Sequence, residues 1–395
     1  MQIRAVATVL ALSSPSIQGK LKFYPHRFSL EAVTKVSIQG FRSLERIENL
    51  KLPQLTVLIG ANGVGKSSFI HFFEMLGWML RAKNLQEFVL RKGGGDDQFF
   101  MGSRRTPLIK AELSIATEKG TNDYQFEMAH LSAGDTVMLT HEAYRFSDAS
   151  TFTKANWIRI ANIGKESMLA GQANTTAKTI FHLLRQCATY QFHDTSDNAS
   201  LHQRWDTSDS VRLRSDGGNL AAVLLELREN HAPRYKQLVQ QIQRVFPTLE
   251  DFVLEPMAGK VLLRWKSKYS DKVFGAHLTS DGSLRLFCLL TLLSLPEDRL
   301  PDILFFDEPE LGLHPHAIDL VSAMLKRVAK SRQVFIATQS PYMVDCFELE
   351  NIIVAESAKG ATTLRNLPND EYREWLKDGY LLSDIWLKSP VGVSS

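Results

Sequence analysis

Three features that the sequence largely lacks narrow the classes of protein to which it can belong. The 395 residues include only three cysteines, and this odd, widely spaced set does not make a disulfide framework. No apolar run reaches the roughly 18 residues that a membrane-spanning helix needs. Residues 105–265 show no heptad repeat, which excludes a long coiled coil there. We therefore expect a cytoplasmic protein without a membrane anchor.

The chain also has little excess charge of either sign. Lys and Arg number 46 and Asp and Glu number 43, which gives a net charge of +3. Such a balance neither requires nor excludes nucleic acid as a partner, because a local basic patch can bind phosphate. The hydrophobic fraction of 44% is typical of a globular protein. At about 150 residues per domain, the length predicts two or three domains or lobes.

The first 31 residues carry little periodic signal. A short apolar run at residues 5–12 resembles a weak signal peptide, but we expect a loosely packed extension or a start codon placed too early. Beyond it, hydrophobic spacing predicts strands at 35–39, 47–52 and 55–59, a helix at 67–80, an antiparallel meander at 109–146, helices at 177–187, 219–230 and 235–245, and a strand at 261–265.

The last third of the chain alternates between the two periodicities. Helices are predicted at 284–295 and 317–328, and strands at 303–306 and 334–337. This alternation is typical of an α/β layer with parallel strands.

A glycine-rich loop follows the predicted strand at 55–59. It satisfies the pattern G-x-x-x-x-G-K-[ST] at every fixed position. Glycines let the backbone turn its N–H groups toward phosphate oxygens, and the following helix N-terminus adds partial positive charge. Lys66 is expected to reach the β- and γ-phosphates and Ser67 to ligate Mg²⁺. The residues predicted to bind ATP here are Gly60, Ala61, Asn62, Gly63, Val64, Gly65, Lys66, Ser67 and Ser68.

Two adjacent acids stand where the predicted strand at 303–306 ends. Asp307 is expected to hold Mg²⁺ through water, and Glu308 to orient or deprotonate the attacking water. The separation between Lys66 and Asp307 is far more than one β–α crossover, so an additional lobe must lie between them.

Short motifs around these residues occur in the order of a known family. They are FRSL at 41–44, TSDGS at 279–283, PE and LHP after the acids, and ATQS at 337–340. Together they resemble the RecF/SMC-like branch of the ABC-type ATPases, and within it the small bacterial AAA family ATPases related to the OLD-family ATPase domain. The resemblance implies an α/β fold, a P-loop NTPase of the ABC-ATPase head type, with an inserted α+β lobe.

The resemblance also implies roles for residues outside the phosphate loop. Ser280, Asp281 and Gly282 resemble a diverged signature loop, which would contact the γ-phosphate bound by an opposite subunit. Gln98 would sense the metal and the attacking water, and Arg42 would contact the nucleotide. Gln339 stands where many relatives carry a switch histidine, and its amide can donate a similar hydrogen bond without titrating near neutral pH.

In this family two heads enclose two ATP–Mg²⁺, so the resemblance implies a homodimer or higher homo-oligomer that uses ATP for a conformational switch. It points to DNA repair or anti-phage defence, with DNA as a plausible partner. The chain ends where OLD-type relatives continue into a Toprim nuclease domain, so a nuclease effector would be a separate protein.

The predicted organisation has five parts. They are an extension at 1–31, the first part of the ATPase head at 32–104, the inserted lobe at 105–265, the second part of the head at 266–360 and a tail docking on the head at 361–395.

Two other functions stay open at this stage. An ABC transporter ATPase would share the phosphate loop and the acids, although Gln339 and the diverged signature argue against it. An ATP-gated scaffold or inhibitor of a toxin or nuclease would bind ATP and hydrolyse little of it.

Overall fold

The computed structural model describes residues 31–81, 84–150, 155–161, 164–367 and 369–388. The predicted N-terminal extension lies outside the described residues except for Glu31. The strands are β1 Ala32–Phe41, β2 Leu44–Lys51, β3 Leu55–Ile59, β4 Leu108–Thr117, β5 Gly120–Leu131, β6 Thr136–Asp148, β7 Ile158–Arg159, β8 Cys187–Tyr190, β9 Trp205–Asp206, β10 Leu249–Phe252, β11 Lys260–Val261, β12 Arg264–Ser267, β13 Ser270–Gly275, β14 Ile303–Asp307, β15 Gln333–Thr338, β16 Ile352–Ala358 and β17 Ala361–Asn366.

The α-helices follow the same chain order. They are α1 Lys66–Arg81, α2 Leu85–Arg91, α3 Thr175–Leu184, α4 Leu220–Asn230, α5 Ala232–Val245, α6 Asp281–Leu293, α7 Pro315–Val328, α8 Pro341–Asp345, α9 Asn369–Lys377 and α10 Leu382–Lys388. No helix in the described ranges has the length and apolar character to span a bilayer.

Two six-stranded sheets organise the molecule. One has the order β2-β1-β4-β5-β6-β7 and pairs antiparallel throughout. The other, which we call the parallel sheet, has the order β17-β16-β3-β15-β14-β8, and only β17 runs antiparallel to its neighbour. The predicted meander and the parallel α/β layer are therefore both present.

The strands of the parallel sheet are buried on both faces because the sheet lies between two apolar layers. Along β14, Ile303 and Phe305 pack into the cluster formed by α1, α3 and the antiparallel sheet. Leu304 and Phe306 point the other way, into the cluster with α4 to α7. Full burial of one such side chain contributes about 1.5–3 kcal/mol, so this strand strongly ties the two layers together.

The sequence interpretation was wrong about one element that matters for the site. The helix predicted at 177–187 ends at Leu184, and Cys187 begins β8. The physical reason is tertiary, because β8 pairs in parallel with β14 from Cys187 opposite Ile303 to Tyr190 opposite Phe306. A strand of four residues is too short to show its own periodicity.

The predicted lobe at 105–265 shares both sheets with the predicted head. β4 pairs with β1, and β8 pairs with β14. The proposed boundaries at residues 104 and 265 remain predictions, since hydrogen bonding in the sheets continues across them.

Candidate nucleotide site

The phosphate loop joins β3 to α1 and closes on itself through Lys66. This residue is the first of α1 and is buried. Its Nζ donates to the carbonyl oxygens of Gly60 at 2.7 Å and Ala61 at 2.9 Å. Burial lowers the pKa of Lys66, while the nearby carboxylates of Glu308, Asp307 and Glu310 act in the opposite direction. The ammonium is thus held at the loop, where an incoming phosphate could replace the carbonyl oxygens as its partner.

A hydroxyl network braces the loop from the β16–β17 hairpin. The Thr362 Oγ1 lies 2.8 Å from both the Val64 carbonyl oxygen and Ser43 Oγ, and can donate to either. Ser43 Oγ in turn donates to Ser68 Oγ at 2.8 Å. A Cβ at Gly65, whose φ is +99°, would overlap the Thr362 hydroxyl. This position therefore requires glycine for space as well as for backbone conformation.

Ser67 and Asp307 meet at the carboxyl edge of the parallel sheet. Ser67 Oγ lies 3.5 Å from Asp307 Oδ2, although the two residues are far apart in the chain. Parallel strands end at the same edge of a sheet, which brings the loop after β3 beside the end of β14. A hydroxyl and a carboxylate are oxygen ligands of the type that Mg²⁺ prefers, so these residues fit the predicted ion.

A third residue at this point is Gln191, to which sequence reasoning gave no role. Its Nε2 donates to Asp307 Oδ2 at 3.0 Å. The ring Nε2 of His193 lies 2.9 Å from the Asp307 carbonyl oxygen. Gln191 follows β8 directly, and β8 is the neighbour of β14. The sequence signal that could have found it was a glutamine directly after a short strand. The helix predicted at 177–187 hid that signal, because it covered the start of β8.

Glu308 has a strained backbone at the end of β14. Its φ is +45°, in the left-handed region that costs a non-glycine residue about 1–3 kcal/mol. Its N–H donates to the Ala337 carbonyl oxygen at 2.8 Å, which holds the turn against β15. The side chain is only partly buried. This geometry presents the Glu308 carboxylate at the same edge as Asp307.

Glu310 is a buried acid that the sequence interpretation gave no role. It accepts a hydrogen bond from the Thr338 hydroxyl through Oε1. Its other oxygen, Oε2, is buried without a hydrogen-bond partner in the described part of the chain. Burial raises the pKa of Glu310, and the negative charge of Glu308 raises it further. Glu310 thus joins the end of β14 to the end of β15, just before Gln339.

Gln339 follows β15 and lies beside the residues described above in the edge of the sheet, partly exposed. The next residue, Ser340, accepts a hydrogen bond from the Met343 N–H and caps α8. The cap defines where the chain turns after β15. Whether the Gln339 amide contacts a γ-phosphate stays a prediction.

The predicted signature residues lie at the N-terminus of α6. Ser280 and Asp281 are exposed, and Ser280 Oγ accepts a hydrogen bond from the Ser283 N–H at 3.4 Å. A Cβ at Gly282 would overlap the Gly312 carbonyl oxygen, so the segment packs on the loop after the acids. Among the residues that the structure describes, no hydrogen bond joins this segment to the phosphate loop of the same chain. An exposed helix N-terminus suits an anion brought by another molecule.

Gln98 and Arg42 are paired with each other, away from Asp307. The Gln98 Oε1 accepts from Arg42 Nε at 3.2 Å and Nη2 at 3.1 Å. Its Nε2 donates to the carbonyl oxygens of Lys92 and Gly94. The amide is buried and its oxygen already has a charged donor. The structure does not bring Gln98 to Ser67 or Asp307, so its predicted metal role would require this pair to separate.

Within the described ranges, no group of three or more His, Cys, Asp or Glu side chains could hold an ion.

Comparison with known proteins identifies the family. Residues 139–345, just over half of the chain, match the family described as "AAA domain, putative AbiEii toxin, Type IV TA system". The chain therefore belongs to this family. The matched range includes Asp307, Glu308 and Gln339 but begins after the phosphate loop.

Solved structures of low sequence identity share the fold. The Smc head bound to the C-terminal winged-helix domain of ScpA is 15% identical with a TM-score of 0.54, covering 87% of this chain and 99% of that one. An Smc head with an extended coiled coil, bound to the C-terminal domain of ScpA derived from Pyrococcus furiosus, is 12% identical with a TM-score of 0.51, covering 88% and 99%. No curated protein matches the chain.

Together, these comparisons show an AAA-domain protein with the fold of the Smc head domains. The predicted fold class and the resemblance to the RecF/SMC-like ATPases are confirmed. The narrower kinship to the OLD family stays a prediction.

Proposed function

We propose that the chain binds ATP with Mg²⁺, hydrolyses it slowly, and uses the cycle as a conformational switch between open and closed head-to-head dimers. The observation that carries the proposal is the meeting of Ser67, Asp307 and Gln191 at one edge of the parallel sheet. The phosphate loop, with buried Lys66, closes the other side of this edge.

The residues divide the work of hydrolysis in this proposal. Ser67 and Asp307 would hold Mg²⁺, which neutralises phosphate charge. Lys66 would bind the β- and γ-phosphates, and Glu308 would orient or deprotonate the attacking water. Gln191 hydrogen bonds Asp307 and is thereby placed to sense the metal, the role that sequence reasoning gave to Gln98.

The proposed dimer rests on the exposed N-terminus of α6. Within the described ranges, Ser280, Asp281 and Gly282 form no hydrogen bond with the phosphate loop of their own chain, and an exposed helix N-terminus can accept the γ-phosphate bound by a second copy. ATP would then join two heads, and hydrolysis would release them. Only an interaction made in one state can shift such an equilibrium, and the γ-phosphate supplies it.

The process we propose is defence against phage or DNA repair in the cytoplasm, with DNA as a plausible ligand. A separate effector, of which a Toprim-type nuclease is one candidate, would carry out the damaging or repairing step. The family description names a putative toxin of a type IV system, which favours defence. The Smc heads of similar fold were solved with the separate protein ScpA, which supports a protein partner.

The test combines ATP hydrolysis with solution mass, with and without double-stranded DNA. We expect Glu308→Gln to lower turnover about 10²-fold or more, because general-base catalysis contributes about 10²–10⁴-fold. The same variant should form an ATP-dependent larger assembly. Glu297→Gln, an exposed glutamate before β14, is the matched control and should behave as wild type.

Two results would separate the alternatives. An ATP-dependent assembly with negligible wild-type turnover would indicate an ATP-gated scaffold instead of an ATP-hydrolysing switch. One unchanging mass and no hydrolysis in wild type and Glu308→Gln would exclude the switch.

A further inference from the structure

A cleft of about 410 Å³ opens beside β8, outside the nucleotide site. Its size falls in the range of about 300–1,000 Å³ that is usual for small-molecule sites. We call it the arginine cleft after the three arginines in its lining. The lining residues used below are Arg81, Trp78, Tyr190, Arg212, Arg214 and Pro301.

Two of the arginines form no ion pair with a carboxylate within the described ranges. Burial raises the pKa of the Asp302 carboxyl, and Arg212 lies close enough to act against that effect by favouring the charged form. Arg81 donates only to backbone, from Nε to the Arg185 carbonyl oxygen at 3.1 Å and from Nη2 to that of Cys187 at 2.7 Å. Exposed Arg212 donates from Nη1 to the Gln186 side-chain oxygen at 3.2 Å. Each guanidinium has five N–H donors, so both retain donors for an anion.

The acids that line the cleft are already paired. Glu74 lies 3.1 Å from Lys92 Nζ and 2.8 Å from His71 Nδ1. Asp209 pairs with Arg214 at 3.5 Å. Arg81 and Arg212 are therefore the charged side chains of the lining without an ion-pair partner, and Asp302, next to Pro301, offsets part of the charge of Arg212.

The rest of the wall is suited to the non-phosphate part of a ligand. Trp78 is partly buried, Tyr190 is buried, and both line the cleft with Pro301. A planar guanidinium matches two phosphate oxygens at once, and aromatic or proline surfaces accept a sugar or a ring. The chemistry of the cleft thus fits a phosphate ester about the size of a mononucleotide.

One strand connects the cleft with the nucleotide site. All four residues of β8 line the cleft, and the next residue is Gln191, which hydrogen bonds Asp307 at 3.0 Å. Arg81 and Arg212 hold the start of this strand through Cys187 and Gln186. Gln186, the hydrogen-bond acceptor of Arg212, directly precedes β8, so a phosphate that reorients the Arg212 side chain would act on the start of this strand.

We propose that the arginine cleft binds a phosphate ester of mononucleotide size, and that its occupation is coupled to the ATP site through β8 and Gln191. The ligand could be a free nucleotide or sugar phosphate, or the 5′-phosphate at a nucleic-acid end. The coupling rests on the proposed function, whereas binding in the cleft does not.

Binding is tested in the Lys66→Ala background, which weakens competing phosphate affinity at the phosphate loop. Ribose 5-phosphate, ribose and a 5′-phosphorylated oligonucleotide are titrated by calorimetry, with Trp78 fluorescence, identified by Trp78→Phe, as the site-specific readout. We expect saturable binding of ribose 5-phosphate and none of ribose. If the oligonucleotide alone binds, the source is a strand end and the cleft is still a phosphate site.

Arg212→Gln is the decisive variant because its exposed side chain has one described hydrogen bond, so folding does not depend on it. It should weaken binding about tenfold or more, the effect of losing a charge-assisted hydrogen bond. Arg46→Gln removes the same charge from an exposed arginine paired with Glu48 on β2 and should have no effect. Equal losses in both variants, or no saturable binding of either phosphate probe, would overturn the proposal.

Coupling is measured as the change in ATP affinity when the cleft is saturated in otherwise wild-type protein. Linkage requires that ATP change the affinity for the cleft ligand by the same factor, about 5- to 150-fold in typical cases. Gln191→Ala should abolish the change while cleft binding persists. If wild type binds no ATP, the proposed function fails and the cleft result stands; if ATP binds with unchanged affinity, the coupling fails.

Discussion

The two large sheets hold their carboxylates in different ways. In the antiparallel sheet, the buried Asp123 accepts hydrogen bonds from Ser114 at 2.7 Å and Arg145 at 2.7 Å. At the carboxyl edge of the parallel sheet, Asp307, Glu308 and Gln339 come from different strand ends and leave donors and acceptors available. The comparison indicates that one sheet supplies rigidity and the other supplies the chemistry.

Two buried glutamates make the contrast sharper. Glu142 in the antiparallel sheet accepts from the Tyr124 hydroxyl, the Ser167 hydroxyl and the Met168 N–H, so both of its oxygens are used. Glu310 at the parallel edge has one oxygen paired and one without a described partner. Buried unpaired oxygens are costly, and proteins retain such costs mainly at functional sites.

The largest expected effect distinguishes the lysine of the phosphate loop from a lysine of the antiparallel sheet. Lys66→Ala should weaken ATP binding or turnover about 10²–10³-fold, because it removes a positioned charge at the phosphates. Lys110→Ala removes a lysine of the antiparallel sheet whose Nζ lies 2.8 Å from Glu127 and should leave ATP turnover unchanged. Binding of a fluorescent ATP analogue and phosphate release measure both. Similar losses in the two variants would contradict the division between the sheets.

A smaller effect distinguishes the two glutamines. Gln191→Ala should lower turnover about tenfold and raise the Mg²⁺ concentration needed for half-maximal rate, because a charge-assisted hydrogen bond to Asp307 is lost. Gln98→Ala leaves Arg42 without its side-chain acceptor and should reduce stability without changing Mg²⁺ dependence. Turnover across a Mg²⁺ titration, with thermal unfolding as the control, decides between them. If only Gln98→Ala raised the Mg²⁺ concentration needed for half-maximal rate, the metal-sensing role would belong to Gln98, as the sequence analysis predicts.

The sequence was sufficient for the parts of the site that are contiguous in the chain. The phosphate loop needs a strand, eight residues and a helix, and its fixed spacing made it recognisable. Asp307 and Glu308 were recognisable because four apolar residues precede them. Both predictions depend on local order, which propensity and spacing can report.

The residues that sequence reasoning missed depend on strand order. Gln191 reaches Asp307 only because the four-residue β8 joins the edge of the sheet beside β14. Thr362 braces the phosphate loop from a hairpin near the other end of the chain. Neither neighbour relation can be read from local periodicity, because strand order is decided by long-range packing.

The smallest expected effect tests the two buried glutamates directly. Glu142→Gln should lower the free energy of unfolding by about 1–3 kcal/mol, because the new amide N–H₂ must face a donor. Glu310→Gln should change it little or raise it, because the amide oxygen can keep the Thr338 bond and no charge is buried. Urea unfolding measures both values, and a loss in Glu310→Gln equal to that in Glu142→Gln would contradict the contrast.

The difference in unfolding free energy between Glu310→Gln and wild type should depend on pH in a definite direction. Burial raises the folded-state pKa of Glu310 above its ordinary value, so the native state holds this proton more tightly than the unfolded chain does. Stability from this group is therefore full below the ordinary pKa and is lost as the pH rises through the raised one. The advantage of Glu310→Gln over wild type should accordingly grow as the pH rises through that interval. A constant difference would mean that Glu310 has the same pKa in the folded and unfolded states, which would contradict the effect of burial argued here.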